Sequence, residues 1–291
     1  MSTIFHFKKA CKNHDIVFLN KLITSGKDVN IIGPYGETPL QYAALYDSYE
    51  CLVLLCENGA NIDSQTKGGS TPLCIACSSS NNKCAKYLLK NGADPNICTN
   101  KKIYPLFYSC KNDNLQLMKL LVKNGADVNI RMHNKSTALC FACFGDLYEI
   151  ALYLIKCGAD VNIYNKKYLC PLYYACKNDN LKLVKLLIDN GANINGNSVM
   201  FPLYIACKLN NYDCVDYLIC CDADVNKTRK YNESLFHISC FSDSSECVNL
   251  LLNAEANPMQ RYKGKKTPYD IALEYSGSKT IKLLVDRGVT C

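Results

Sequence analysis

Short apolar segments with helical spacing alternate with polar stretches along the whole chain. In one of them, Leu117 and Leu121 belong to an apolar stripe on one face of a predicted helix. Gly125 is placed to end that helix as a C-cap, and the stretch 127–135 is too polar for a core, which predicts a turn. Because the longest apolar run, Ala138–Phe144, stops near seven residues, no membrane-spanning helix is expected.

A polar phrase at the end of each predicted helical segment recurs at a fixed interval. The phrase at 58–63 returns with small changes at 91–96, 124–129, 157–162, 190–195 and 221–226. The glycines within this series lie 33 residues apart, at positions 26, 59, 92, 125, 158 and 191. The interval shortens once, to 31 residues, before Asp222. A repeat of this length indicates an array of similar structural units.

A second phrase keeps the same register and predicts where each unit begins. It reads Thr38-Pro39-Leu40 in one unit, Thr71-Pro72-Leu73 in the next and Thr267-Pro268-Tyr269 in the last. Threonine is a good N-cap, and proline suits the first position of a helix. Asp113 and Asn210 stand where the first helix of a unit should end, because short polar side chains tolerate left-handed backbone. Each unit therefore predicts a helix–turn–helix followed by a polar finger.

Together, the two phrases and their period resemble the ankyrin repeat family over nearly the whole chain. The resemblance implies an all-α solenoid of helix–turn–helix units with β-hairpin fingers, in which neighbouring units bury each other's apolar faces. We expect a single ankyrin repeat domain, 1–291, with nine units including caps. The expected limits are 1–34 for the N-terminal cap, 35–67, 68–100, 101–133, 134–166, 167–197, 198–230 and 231–263 for the internal repeats, and 264–291 for the C-terminal cap.

Two departures from the family pattern lead to local predictions. The family usually has histidine after Thr-Pro-Leu, and only Ser234 with His237 retains the chemistry of that hydroxyl–imidazole contact. Thr38 with Gln41 is expected to form a capping box instead, and Thr267 with Asp270 something similar. The 31-residue unit should have a shortened, irregular finger at 195–199.

The chain contains 20 cysteines, which we interpret as reduced thiols that pack like small apolar side chains. Two Cys-x-x-Cys pairs, at 74/77 and 140/143, are two repeats apart and too distant to share a zinc ion, so no metal is expected. A redox role at Cys98, Cys220, Cys221 or Cys291 is the alternative. Seven cysteines share one position on the first helix of a unit: Cys11, Cys77, Cys110, Cys143, Cys176, Cys207 and Cys240.

No motif of known catalytic chemistry is present. Phosphate-binding glycine loops, the His-Glu-x-x-His zinc motif and the Gly-x-Ser-x-Gly nucleophile motif are all missing. Carboxylates such as Asp94, Asp127, Asp160 and Asp224 occur at repeat-dictated positions and are expected to hydrogen-bond to nearby backbone. We therefore predict no enzyme, no catalytic residues and no cofactor.

The fingers and the exposed edges of the first helices carry the residues that vary in the family, and the resemblance implies that partners bind on this concave face. In this chain those positions mix lysine with aromatic and aliphatic residues. Aromatic residues are typical binding hot spots, and lysines favour an acidic partner, so we predict a protein partner with an acidic surface. The predicted partner-binding residues are Tyr35, Tyr46, Lys101, Ile103, Lys111, Phe144, Lys167, Leu169, Lys177, Met200, Lys208, Tyr231, Phe241 and Tyr275.

The leading interpretation is a non-catalytic scaffold or adaptor that recognises another protein. In detail the chain is similar to ankyrin adaptors of ubiquitin ligases and to poxvirus ankyrin proteins, which suggests a viral or pathogen host-interaction factor or the substrate-recognition part of a ligase. Those proteins normally recruit the ligase through a C-terminal SOCS box or F-box. This sequence stops at Cys291, directly after the last repeat, and contains neither module. Either the chain works by occupying its partner, or it is part of something larger.

Further alternatives concern nucleic acid and modification. Lysine and tyrosine on the fingers allow nucleic-acid or nucleotide binding, although the net charge of +7 is spread along the chain. We therefore do not expect nucleic acid as the partner. A monomer in the cytoplasm is expected, with the nucleus as the alternative compartment. Some family members are hydroxylated on finger asparagines that follow a leucine by eight residues; this spacing occurs at Asn96, Asn129, Asn162, Asn195 and Asn226.

Overall fold

The computed structural model describes residues 3–197, 200–275 and 277–290. Within these ranges the chain forms nine consecutive pairs of α-helices and one 3₁₀ turn, Lys230–Asn232. The first helices of the pairs are α1 (Thr3–Lys12), α3 (Pro39–Leu45), α5 (Pro72–Ser78), α7 (Pro105–Lys111), α9 (Ala138–Phe144), α11 (Pro171–Lys177), α13 (Pro202–Leu209), α15 (Leu235–Phe241) and α17 (Pro268–Tyr275). The second helices are α2 (Ile16–Thr24), α4 (Tyr49–Glu57), α6 (Asn82–Lys90), α8 (Leu115–Lys123), α10 (Tyr148–Lys156), α12 (Leu181–Asp189), α14 (Tyr212–Cys220), α16 (Ser245–Asn253) and α18 (Ser278–Asp286).

The chain divides into two compact units. The first comprises Met1–Phe141 with Lys156–Ala159, and the second comprises Ala142–Ile155 with Asp160–Cys291. In the first unit α3 packs between α1 and α5, while α4 packs between α2 and α6. In the second unit α15 packs between α13 and α17, while α16 packs between α14 and α18. Within each unit these helix pairs thus bury their apolar faces against their neighbours. The described helices confirm the predicted all-α repeat fold class.

Local polar groups set the beginning and end of the helices, as predicted. The Thr71 hydroxyl accepts a hydrogen bond from the amide of Cys74 (3.1 Å) and caps α5. The first helix of a pair ends at a polar residue in left-handed backbone, such as Asp113 (φ 47°) or Asn210 (φ 57°). Most second helices end before a glycine such as Gly125, whose φ of 88° disfavours any residue with a side chain. After α14 and α16 the same place holds Asp222 (φ 61°) and Glu255 (φ 57°).

The fingers are tight turns. In the finger after α4, the amide of Thr66 donates to the carbonyl of Ser70 (3.0 Å), and the amide of Gly69 donates back to Thr66 (2.8 Å). This pair of bonds closes a turn but is too short a ladder to make a strand. The described ranges contain no strand, and one isolated antiparallel bridge joins Tyr262 to Lys266. The β-hairpin fingers expected from the resemblance are therefore reduced to their hydrogen-bonded tips.

Asparagine side chains connect successive repeats just before the fingers. The Asn162 side chain donates to the carbonyl of Gly191 (2.9 Å) and accepts from the amide of Asn193 (2.7 Å). Asn96 makes the equivalent bonds to Gly125 and Asp127. An amide suits this position because it donates and accepts at once. The repeated asparagine therefore bridges each repeat to the next.

Removing one such bridge should destabilise the fold measurably. We expect Asn162→Ala to lower the free energy of unfolding by about 1–3 kcal/mol, because two backbone groups lose their partner. Asn162→Asp should fall between this variant and the parent, since the carboxylate still accepts; Asp63 in the same position accepts from the amide of Asp94 at 3.2 Å. Urea denaturation followed by circular dichroism measures both. Equal stability of Asn162→Ala and the parent would contradict the bridging role.

The seven cysteines that share one position in the repeat are all buried, so the prediction that they pack as core residues is confirmed. Cys11 and Cys110 direct their thiols at the backbone carbonyls of Pro39 (3.7 Å) and Ala138 (3.6 Å) in the next unit. A cysteine at this place is small enough for close helix approach and still provides a weak donor. Among residues 3–197, 200–275 and 277–290, no three histidine, cysteine or acidic side chains cluster as metal ligands would.

The irregular finger predicted at 195–199 lies partly outside the described residues, which omit 198 and 199. On its near side the amide of Gly196 donates to the carbonyl of Asn193 (3.0 Å). On its far side the amide of Met200 donates to the Asn197 side chain (2.9 Å). Helix α13 nevertheless begins at Pro202, as in the neighbouring repeats.

In the part of the chain that the structure describes, every helix is too short to cross a lipid bilayer.

Candidate functional site

The predicted partner-binding residues lie on the finger turns and at the C-terminal ends of the first helices, and none of them is buried. This placement follows from the repeat, because the rest of a first helix such as α3 or α15 packs against the neighbouring first helices of its unit. The exposed members are Tyr35, Lys101, Lys111, Phe144, Lys167, Lys177, Lys208, Tyr231 and Tyr275. The half-buried members are Tyr46, Ile103, Leu169, Met200 and Phe241.

In the first unit the two predicted tyrosines are also parts of the framework. Tyr35 is 76% exposed, yet its carbonyl accepts from the amide of Lys67 in the next finger (2.8 Å). The Tyr46 ring stacks on Tyr42 with ring centres 6.4 Å apart. The hydroxyl of Tyr42 in turn donates to Glu37 (2.7 Å). Tyr35 therefore presents a free ring on a fixed backbone, whereas Tyr46 is held along one face.

In the second unit an aromatic group forms around the end of α9. Phe144, which is 57% exposed, meets Tyr174 edge to face with ring centres 5.6 Å apart. Tyr173 packs against Tyr174 in the same manner at 5.8 Å. The Lys177 amine lies 5.8 Å from the Phe144 ring centre, within the range of a cation–π contact. The predicted residues Phe144 and Lys177 thus touch, and Tyr174 joins them.

A second aromatic group surrounds a cavity of about 340 Å³ near the end of the second unit. The Phe241 ring centre lies 5.0 Å from that of Tyr275 and 6.3 Å from that of Tyr262. We call this site the C-terminal aromatic cavity. Its walls are the three rings with Ile271, and its rim is formed by Lys263, Lys265 and Lys266.

Two of the rim lysines already have partners. The Lys266 amine forms an ion pair with Glu274 at 2.6 Å, and the Lys263 amine lies 5.1 Å from the Tyr262 ring centre. The sequence predicts Phe241 and Tyr275 on the surface but does not identify Tyr262 and Lys265 as their neighbours. The sequence signal for Tyr262 is an aromatic residue at the base of the finger, five positions before Thr267.

A buried histidine positions the finger that carries Tyr262. The Ser234 hydroxyl lies 2.7 Å from Nδ1 of His237, and the Ser234 amide donates to the same nitrogen (3.2 Å). Nδ1 is therefore the acceptor, which leaves Nε2–H to donate to the carbonyl of Lys266 (3.1 Å). This neutral ring links α15 to the finger, and the predicted Ser234–His237 contact is confirmed. The expected caps Thr38–Gln41 and Thr267–Asp270 are also present.

The neutral histidine should make stability depend on pH. Burial lowers the pKa of His237 below its usual 6.5, and the bond to the Lys266 carbonyl opposes this only in part. The unfolded chain therefore binds the proton more readily, so stability is complete above the unfolded pKa and falls as the pH drops towards the folded pKa. We expect the free energy of unfolding to decrease more from about pH 7 to about pH 5 in the parent than in His237→Gln.

Glutamine is the matched replacement because the chain uses it at the same repeat position. Gln41 accepts from the amide of Thr38 (2.8 Å) and donates to the carbonyl of Ser70 (3.0 Å), as His237 does to Lys266. The variant should therefore keep the cap while it loses the titration. Identical pH profiles for the two proteins, from urea denaturation at each pH, would show that His237 does not contribute.

The structure also shows the surroundings of the carboxylates, cysteines and asparagines that the sequence singles out. The carboxylate of Asp127 accepts from the amide of Asn129 (2.8 Å), which confirms local hydrogen bonding for this class of carboxylate. Cys220 is exposed, Cys98 and Cys221 are half-buried, and Cys291 lies outside the described residues. Hydroxylation stays a prediction for the asparagines that bridge repeats, Asn96, Asn129, Asn162, Asn195 and Asn226.

Comparison with known proteins supports the repeats that the sequence predicts. No curated protein shows a significant match to the chain. The family model described as ankyrin repeats (3 copies) matches residues 7–98, 91–165, 157–229 and 203–291. These overlapping matches cover the helix pairs of both units, and the chain belongs to the ankyrin repeat family.

Proposed function

We propose that this protein is a non-catalytic adaptor that holds an acidic protein partner on its finger turns and on the C-terminal ends of its first helices. Ankyrin repeats in general are scaffolds for protein–protein interaction and are typically non-catalytic. The proposal adds the location of the binding surface and the charge of the partner, and the C-terminal aromatic cavity is the observation that carries it.

The cavity has the composition of a binding hot spot. Tyr275 is 57% exposed at the end of α17, although burying such a ring in the core would stabilise the fold. Aromatic side chains in a recess dominate binding energies at protein interfaces. Lysines on the rim would attract and orient acidic side chains without being buried themselves. A partner that inserts an apolar side chain and surrounds it with carboxylates fits this arrangement.

The test is a comparison of aromatic variants during recovery of the partner from cells. Affinity purification with the parent protein, followed by mass spectrometry, identifies the partner. We expect the double variant Phe241→Ala, Tyr275→Ala to bind it at least about 30-fold more weakly, corresponding to about 2 kcal/mol. Tyr212→Ala is the matched control, because Tyr212 is 44% exposed at the start of the second helix α14. It should bind within about twofold of the parent.

The electrostatic part is tested separately. Replacing Lys101, Lys111, Lys167 and Lys177 by glutamate should slow association and weaken its dependence on salt. Unchanged affinity in both the aromatic and the charge variants, with circular dichroism showing intact helices, would overturn the proposal. Salt-dependent capture of arbitrary oligonucleotides in place of a protein would favour nucleic-acid binding instead.

A further inference from the structure

Two grooves lie between second helices of the first unit, and the proposed function does not use them. The larger groove, of about 720 Å³, lies between α4 and α6 and includes Tyr49, Tyr87 and Lys83 in its lining. The smaller, of about 290 Å³, lies between α6 and α8 and includes Leu120. Lys86 lines both grooves, so the side chains of α6 form the ridge between them.

The ridge has a concentrated positive charge. Lys83, Lys86 and Lys90 are all exposed and follow one another at three- and four-residue spacing along one face of α6. Lys119 and Lys123 continue the charge on α8. Neither helix contains an acidic residue. Glu50 of α4 lines the larger groove, but among the described residues no carboxylate lies within ion-pair distance of the three lysines of α6. We call these five lysines, with Tyr49 and Tyr87, the α6 face.

This arrangement destabilises the free protein. Like charges three or four residues apart on a helix repel each other, and α6 contains the pairs 83/86 and 86/90. Burial does not require lysine there, since the apolar stripe of α6 is supplied by Ala85, Leu88 and other buried residues. An anionic ligand on this face would be attracted by these lysines and would relieve their repulsion.

The floor of the grooves indicates which kind of anion. Tyr49 and Tyr87 are half-buried and pack edge to face, with ring centres 5.9 Å apart. Rings packed in this way leave little open face for stacking on a nucleic-acid base. A membrane surface would need protruding apolar side chains, and α6 and α8 expose no large apolar side chain. An apolar floor between rows of lysines suits a peptide in which acidic and apolar side chains alternate.

We propose that the α6 face is a second binding surface, separate from the finger turns, and that it takes an acidic peptide segment of a protein partner. The carboxylates of the peptide would pair with Lys83, Lys86 and Lys90, while its apolar side chains would lie over Tyr49 and Tyr87. All of these residues belong to the first unit. The C-terminal aromatic cavity belongs to the second unit, so one chain has separate surfaces for two contacts.

Charge reversal on the full chain tests the assignment. The probe is a fluorescein-labelled peptide in which glutamate and leucine alternate, and its affinity is read by fluorescence anisotropy. We expect the triple variant Lys83→Glu, Lys86→Glu, Lys90→Glu to bind at least about tenfold more weakly than the parent. The control variant Lys12→Glu, Lys21→Glu, Lys27→Glu makes the same change in net charge at exposed positions of the first helix pair and of the turn that follows it. It should bind the probe within about twofold of the parent.

Two further comparisons distinguish a site that also contacts the apolar side chains of the peptide from non-specific electrostatic attraction. Tyr87→Ala changes no charge at neutral pH and should weaken binding of the peptide several-fold, as should replacing the leucines of the probe by serine. Equal losses in both triple variants would overturn the proposal, and so would unchanged binding in the α6 triple variant with intact helices. Stronger α6-dependent binding of a single-stranded oligonucleotide or of phosphatidylserine vesicles would assign the face to those ligands.

Discussion

Replacing Phe236 by alanine should lower the free energy of unfolding by about 3–5 kcal/mol, the usual loss when a large aromatic side chain is removed from a core. Phe236 is 1% exposed in α15, and this helix packs against α13, α16 and α17. The cavity left behind would lie among several helices at once, so no single side chain could move to fill it. Because stability in a repeat array comes from contacts between neighbours, the second unit should lose cooperativity around α15.

Phe144→Ala is the matched control, since it removes the same side chain from a position that is 57% exposed. Its loss should be about 1 kcal/mol, from the contacts with Tyr174 and Lys177. Urea denaturation followed by circular dichroism, with hydrogen exchange to locate the destabilised helices, compares the two. Similar losses for both variants would mean that α15 is not the packed core helix described above.

Thiol labelling should separate the cysteines of the folded protein by about a thousandfold in rate. Cys176 and Cys207 are completely buried, whereas Cys220 is exposed at the end of α14. Burial also raises the pKa of Cys110 and of Cys240 to about 12, which lowers the fraction present as reactive thiolate. A buried thiol therefore reacts only when its repeat opens, and an opening free energy of about 4 kcal/mol slows labelling about a thousandfold.

Iodoacetamide labelling at neutral pH, with peptide mass spectrometry at increasing times, measures these rates. The same experiment in urea is the internal control, because all of the thiols should then react at similar rates. If Cys176 were labelled in the folded protein as fast as Cys220, the shared cysteine position would not be part of a stable core. Cys56, which is half-buried, should fall between the two groups.

Much of the fold was predictable because its signals are local. The residue that caps a helix, the proline that follows it and the glycine that ends the pair act over a few residues of chain, so Thr71, Pro72 and Gly92 each predict a helix boundary from their own position. The buried cysteines were predictable for a related reason. Cys110, Cys143 and Cys176 recur at one place in a 33-residue period, and a place in the period corresponds to one environment in the stack.

The candidate sites were predictable only in part. Exposure of Phe144 and Tyr275 followed from their place at the ends of first helices, but their neighbours did not. Tyr262 meets Phe241 across 21 residues of chain, and Tyr49 meets Tyr87 across 38. Such contacts depend on the rotation and spacing of stacked helices and on the path of each finger, which the period does not specify.

By itself, the sequence determined that this protein is an array of helix pairs joined by polar turns. The caps, prolines and glycines that set the helix boundaries recur from repeat to repeat, and each acts over a few residues of chain. Only the tertiary structure decided that three rings enclose a cavity at one end of the second unit, and that five lysines of two second helices form one face in the first. Those features arise where side chains from different repeats meet. They depend on packing between helices, which no local pattern encodes.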